Sequence, residues 1–445
     1  MFFYYFYNLN RRLKIMYPNL HFALKEWFGV DWAWAKLFNT FGLMMACSFI
    51  VAAIILHREL KRRAKLGLLS YQEEKMVVGQ PASVAELLVH FILGFLIGFK
   101  LVGGLIDGGL TEDARTYISS SQGNILTGLA LGGILAFLKW REKEKVKLAK
   151  PETRTIRIWP QDRVADLTVI AAVGGLLGAK LFHNLENWDT FVKDPLGQLF
   201  SVDGLTFYGG LIVAAVAIIW YARKKNIAIL HLTDSVAPAL MIAYAIGRIG
   251  CQVAGDGDWG IFNSAYASMP DGKVVRADST NNLANSIKNS AGYYSGIIAE
   301  QGKVPAASFT APSFLPTWMV AMNYSHNVNE SGIKIKGWEN EKYGTMLPAP
   351  VFPTPFYETV VCTIMFFILW RLRRRIKIPG RIFAIYLVMN GVERFFVEKI
   401  RVNTHYNILG FKPTQAEIIS TLLVLGGIWL YIYAGKRQEA KAVKA

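Results

Sequence analysis

Nine times along this chain an apolar stretch runs long enough, or nearly so, to cross the roughly 30 Å hydrocarbon core of a bilayer, and that recurrence fixes the fold class. The stretches cover residues 37–56, 84–106, 124–138, 166–182, 205–221, 233–253, 356–370, 381–396 and 416–433. Backbone in lipid must satisfy its own hydrogen bonds, so each run is expected to be helical. The reading is an all-α polytopic membrane protein with about nine transmembrane helices. Composition agrees: 53% of residues are hydrophobic and only 18% charged, against about a quarter charged in soluble domains. No cleavable signal peptide is read, because residues 1–7 are too short an apolar run, although Arg11, Arg12 and Lys14 follow. Met16 is a second candidate start.

In a soluble protein the net charge of +17 would suggest nucleic acid. Its placement argues otherwise. The basic excess lies in 57–65, 139–157, 223–225, 371–377 and 436–444, which follow the first, third, fifth, seventh and ninth runs. Connections on the other side are poorer: 107–121 holds one arginine and 184–204 one lysine. Basic loops mark the cytoplasmic side, so the N-terminus is expected outside, the C-terminus in the cytoplasm, and no nucleic-acid partner is expected. Cys47, Cys251 and Cys362 all fall inside apolar runs, with no disulfide framework and no metal-ligand spacing.

Two segments look duplicated. Val84-Ala85-Glu86-Leu87 and Val164-Ala165-Asp166-Leu167 stand 80 residues apart, as do Gly94/Gly174, Gly98/Gly178, Lys100/Lys180 and Trp140/Trp220. Copies at 84–140 and 164–220 would share one orientation, since two crossings restore the starting side. The second is the better site for chemistry, because Phe207-Tyr208-Gly209-Gly210 is more polar than its counterpart. The expected organisation is an outer N-terminal segment (1–36), a first membrane part (37–260), a periplasmic insertion between helices six and seven (261–355), a second membrane part (356–434) and a cytoplasmic tail (435–445). So long a connection is a lid, a docking surface or an inert insertion.

Arg248 stands out within Gly247-Arg248-Ile249-Gly250, at the outer end of the sixth run. A guanidinium in lipid is costly unless it faces a partner or a wet cavity, so such residues mark function. The flanking glycines, Gly247 and Gly250, remove bulk and leave room for a large anion such as a phospholipid headgroup. A snorkelling anchor is the simpler alternative. Topology brings other polar residues to the same depth: Asp256, Tyr208, Tyr357 and Glu358, Lys180, and Arg394 with Glu398, four apart on one helix face. Paired arginines suit a phosphate, held bidentately and stabilised as it leaves. A carboxylate such as Asp256 or Glu398 can orient an arginine or serve as general base. Tyr208 can position or deprotonate a nucleophile, though a phenol of ordinary pKa is a poor base near neutrality. An i,i+4 ion pair at Arg394 and Glu398, aromatic packing at Tyr208, and a dipole-complementing helix start at Tyr357-Glu358 are the structural alternatives.

Taken together, Gly247-Arg248-Ile249-Gly250, the following Asp-Gly-Asp-Trp-Gly, and Arg394-Phe-Phe-Val-Glu398-x-x-Arg401 resemble the bacterial prolipoprotein diacylglyceryl transferases. Phe207-Tyr208-Gly209-Gly210-Leu211 is similar to that family's Phe-His-Gly-Gly-Leu, and Pro353-x-x-Phe-Tyr357-Glu358 to its His-Pro-x-x-Leu-Tyr-Glu. Asp234-x-x-Ala237-Pro238 and Thr414-Gln415 also fit. The likeness covers 166 to about 429, apart from the long insertion.

The resemblance implies a multi-pass inner-membrane enzyme with its site at the periplasmic leaflet. It would move the diacylglyceryl group of phosphatidylglycerol onto the lipobox cysteine of prolipoprotein signal peptides, forming a thioether and releasing glycerol phosphate. No metal or other cofactor is implied. By position, Arg248 and Arg394 bind the phosphate, Gly247, Gly250, Tyr357 and Glu358 line the lipid site, and Tyr208, Asp256, Arg394 and Glu398 carry the chemistry. The chain departs from the family at several points. Tyr208 stands for the family's histidine, Cys251 and Ala254 for asparagines, Phe352 for a histidine and Phe41 for a tyrosine. The acidic motif has an extra residue, so Asp256 and Asp258 compete for the place of the family's glutamate.

Three other classes remain open: a lipid-binding paralogue without transferase activity, a transporter, and a purely structural membrane subunit. A transport site is expected at the midplane, whereas these polar residues gather at one end. An alcohol-phosphate transferase would be suggested by Asp107-Gly108 and Asp113-Ala114-Arg115, but the further aspartates that would hold its metals are absent.

Overall fold

The computed structural model describes residues 16–110, 117, 118, 120–201, 204, 206–403 and 413–442. The stretch Asp113-Ala114-Arg115 and the first fifteen residues lie outside the described residues. Each of the nine apolar runs contains a helix. Seven helices are long and apolar enough to cross a membrane: Thr40–Lys65, Val84–Ile106, Pro160–Glu186, Phe207–Lys224, Ile229–Ala254, Thr354–Leu372 and Gln415–Gln438. The other two expected runs are also helical, as Ile125–Lys145 and Arg381–Glu398. They fall outside the seven among the described residues because charge enters them: Lys139, Arg141 and Glu142 in one, Arg381, Glu393, Arg394 and Glu398 in the other.

The chain divides into two compact units. One holds Asp31–Leu37 and His57–Ile229; the other holds Phe38–Leu56, Leu230–Ala445 and the residues up to Val30.

The first unit holds the two stretches, 84–140 and 164–220, that look duplicated in the sequence. In each copy two helices pack together: Val84–Ile106 against Ile125–Lys145, and Pro160–Glu186 against Phe207–Lys224. Glycine sets their closeness. A Cβ at Gly98 would lie 2.3 Å from the carbonyl of Thr127, and one at Gly178 2.5 Å from that of Gly209. Between membrane helices, where lipid removes the hydrophobic drive, such close backbone contact is a main source of cohesion. A strand precedes each pair, β1 (Gln72–Val78) and β2 (Glu152–Ile158), and the two pair antiparallel. Lys75 pairs with Thr155, its own equivalent 80 positions on. The strands therefore meet about a local two-fold axis. Equivalent lysines also do equivalent work. The Lys100 ammonium donates to the carbonyls of Tyr117 (3.2 Å), Ser120 and Gln122 (2.6 Å). Lys180 donates to the carbonyl (3.0 Å) and hydroxyl (2.7 Å) of Ser201. Both satisfy exposed ends of the following connection. Lys180, grouped with the site residues on sequence grounds, is thus occupied in its own loop.

In the second unit Ile229–Ala254, Thr354–Leu372 and Arg381–Glu398 share a core of Ala237, Met241, Cys362, Phe366, Leu369 and Ile382. Asp234, buried on the first of these helices, accepts from the backbone N–H groups of Gly380 and Phe383, both at 2.9 Å. These are the orphan donors at the start of a helix, so this carboxylate seats the Arg381–Glu398 helix. The insertion has its own core, in which Phe262, Tyr294, Met322, Tyr324, Leu347 and Val351 are buried together with Met16.

Candidate active site

One face of the Ile229–Ala254 helix carries Tyr244, Arg248 and Cys251, spaced four and three apart so that their side chains stack. Beyond the helix the chain reverses. Gly255 (φ 65°) and Gly257 (φ 100°) adopt the left-handed conformation that glycine takes without steric cost. Three hydrogen bonds then fix the loop: Gly260 N–H to Phe352 O (2.8 Å), Ile261 N–H to Ile400 O (2.9 Å) and the Thr354 hydroxyl to Asp258 O (2.6 Å). The loop is thereby tied to the entry of one helix and the exit of another.

The result is a network of six charged side chains. Asp258 pairs through separate oxygens with Arg248 and Arg401. Glu358 is fully buried and contacts Arg248 Nε at 2.8 Å, Arg394 at 3.3 Å and Arg401 at 3.9 Å. The Tyr244 hydroxyl donates to Glu358 at 3.1 Å. Glu398 pairs with Arg394 at 2.9 Å and accepts from Asn403 at 2.7 Å. Three guanidiniums therefore face three carboxylates, a balance that keeps buried charge tolerable. Arg394 is the most open of the three guanidiniums, its side chain 22% exposed against 15% for Arg248 and 11% for Arg401.

The two aspartates separate. Burial opposes ionisation of Asp258, but Arg248 and Arg401 outweigh it and hold its carboxyl down to about 2. Asp256 forms no ion pair, and its Oδ1 is buried without a hydrogen-bond partner. Burial, and then the neighbouring charge of Asp258, push its carboxyl up. The acid bridging Arg248 and Arg401 is Asp258, while Asp256 stands beside it. Cys251, Asp256 and Asp258 bring three potential metal donors within 4.8 Å of one another. Two guanidiniums already face that cluster, so a cation there would meet like charge.

Of the other expected site residues, Gly247 is open: a Cβ there would meet only the Met45 sulfur, at 3.7 Å. Gly250 instead faces Met44 and Phe41 at 3.0 and 3.4 Å, and lets the helix pack against Thr40–Lys65. Tyr357 donates its hydroxyl to Met319 O at 2.6 Å, which ties it to the insertion. Tyr208 belongs to the other unit, as second residue of the Phe207–Lys224 helix, its ring 5.6 Å from that of Phe207.

Sequence reasoning gave Arg401 a place in a motif but no role, and did not single out Tyr244, Thr354 or Glu393. Tyr244 had a signal, four residues before Arg248. Glu393 is 6% exposed with neither carboxylate oxygen hydrogen-bonded, and its signal was an acid inside an apolar helix beside Arg394.

The profile of the family described as prolipoprotein diacylglyceryl transferase matches residues 124–433. The chain belongs to that family. The match takes in Tyr208 and every member of the charged network. Among proteins named phosphatidylglycerol–prolipoprotein diacylglyceryl transferase, that of Shouchella clausii is 25% identical over 69% of this chain and 83% of its own length. The second such protein of Clostridium perfringens is 25% identical over 62% and 81%. That of Leptospira interrogans is 26% identical over 60% and 77%. The chain is thus a multi-pass membrane enzyme of the transferase class.

Proposed function

We propose that this enzyme transfers the diacylglyceryl group of phosphatidylglycerol to the lipobox cysteine of prolipoproteins, at the periplasmic leaflet of the bacterial inner membrane. Support for the leaflet comes from the sequence, where the basic stretches follow the odd-numbered apolar runs and Arg248 and Arg394 fall late in the sixth and eighth. The observation that carries the reading is the meeting of Arg248, from one helix, with Arg394 and Arg401, from another and the residues just past it, in one largely buried cluster. A single snorkelling anchor needs no such cluster.

In the proposed reaction the lipid phosphate binds at the open side of Arg394, beside Arg248, with Gly247 leaving room for the glycerol. Arg394 commits two of its five N–H groups to Glu358 and Glu398, and the rest face a ligand. Tyr357 and Glu358 shape the pocket, Glu358 by holding Arg248 and Arg394 in place. The substrate thiol gives its proton to Asp256, whose raised pKa suits a base better than the strongly held Asp258. The thiolate sulfur attacks the glycerol carbon that bears the phosphate. A C–S bond forms, the C–O bond breaks, and glycerol phosphate departs with its charge met by the guanidiniums. Tyr208 keeps a proposed part on the family pattern alone, at the histidine's position.

The test is to incubate purified protein in lipid with phosphatidylglycerol and a lipobox peptide, then weigh the peptide. A gain of one diacylglyceryl mass is expected. Binding of both substrates without that gain would favour a binding-only paralogue.

A further inference from the structure

Between Lys303 and Glu330 the insertion carries no Asp, Glu, Lys or Arg, although charge is frequent on either side. Within this stretch residues 309–320 form a pinned loop. Asn263, fully buried, donates to the carbonyls of Phe309 (2.8 Å) and Val320 (3.0 Å) and accepts from Phe309 N–H at 3.1 Å. One side chain thus clamps both ends. The Tyr266 hydroxyl accepts from Ala311 N–H at 2.9 Å. A turn closed by Leu315 N–H to Pro312 O (2.9 Å) puts Phe314 at the tip, and Pro312 and Pro316 stiffen it.

Phe314 is 80% exposed, and Phe309 46%. A loop fixed at both ends cannot fold these rings back onto the protein. The far end of the loop is tied to the start of a membrane helix: Trp318 packs edge-on against Phe356 at 4.9 Å, and Met319 O accepts from Tyr357. Phe356 and Tyr357 are in the first turn of Thr354–Leu372, a helix long and apolar enough to span. The far end of the loop therefore lies at the first turn of a candidate span, and aromatic rings partition favourably at a membrane interface.

We propose that residues 309–318 dip into the bilayer, with Phe314 entering the acyl region of the leaflet that the Thr354–Leu372 helix starts from. An exposed, charge-free, aromatic tip joined to a span's first turn fits a lipid surface. Its polar side chains, Thr310, Ser313 and Thr317, are short hydroxyls, and it offers no charge to pair with an acidic or basic partner.

The experiment uses the full chain carrying Phe314→Trp, reconstituted in vesicles of phosphatidylcholine and phosphatidylglycerol. Its emission is recorded as the difference from the unsubstituted protein, with and without lipids brominated on the upper acyl chain. The expected difference spectrum is blue-shifted relative to tryptophan in water and loses at least half its intensity with brominated lipid. A water-like spectrum indifferent to bromine would overturn the proposal. So would emission that responds to added lipobox peptide but not to lipid, which would assign the loop to peptide docking. Phe314 is exposed, so the variant's melting temperature in detergent is expected to match the parent.

Discussion

Glu358 and Arg248 meet at 2.8 Å through Oε2 and Nε, and the same buried carboxylate reaches Arg394 through its other oxygen. One acid therefore holds two guanidiniums in a common orientation. Replacing Glu358 by glutamine keeps the shape and removes the charge. Two arginines would then face each other with less neutralisation, at a cost of about 3 kcal/mol. The expected outcome is a clear fall in melting temperature and about 100-fold lower turnover in the peptide-mass assay. A variant that stays fully active would remove Glu358 from the site.

The two aspartates should respond in opposite ways. Asp258 has a depressed pKa, so its contribution to stability is present above the unfolded value and is lost as pH falls toward about 2. Asp258→Asn should cost about 2 kcal/mol at neutral pH, read as a lower melting temperature. Asp256 has a raised pKa, so its burial becomes more unfavourable as pH rises through that value. Asp256→Asn should leave melting at neutral pH unchanged or raised while turnover falls about 100-fold or more. Equal destabilisation by both substitutions would end the division of roles drawn here.

A further pair of variants separates the candidate bases. With Asp256 taking the proton, Tyr208→Phe removes no group that the proposed step uses, and turnover is expected to stay within about threefold of the parent. Single-turnover rates at several pH values supply the check. A large loss in Tyr208→Phe, with Asp256→Asn still active, would give the proton to the phenol.

Packing in the repeat makes its own prediction. A side chain at Gly98 would enter the Thr127 carbonyl, so Gly98→Val should cost about 2 kcal/mol or more. At Gly133 a Cβ meets nothing within 4 Å, and Gly133→Ala should be neutral or slightly stabilising, as alanine favours helix. Thermal melting in detergent distinguishes them. A similar loss at both positions would mean that close approach to the Thr127 carbonyl does not set the effect.

Sequence by itself determined the helices, because only a helix satisfies backbone hydrogen bonds over so long an apolar run. It also singled out Arg248, Glu358, Arg394 and Glu398, because charge is costly in lipid, and the structure brings the four into one network. Glycine and lysine spacing at an offset of 80 marked two stretches, each of which holds a packed helix pair. What lies between distant residues was not legible. The pairing of Lys75 with Thr155 depends on strand register. The choice of Asp258 over Asp256 as arginine partner depends on two left-handed glycines and on hydrogen bonds to Phe352 and Ile400. Arg401 became a partner only when the loop beside it was tied down. Local propensity and hydropathy act along the chain, whereas ion pairing acts through space over a few ångströms. For that reason the tertiary structure alone decided which charges meet.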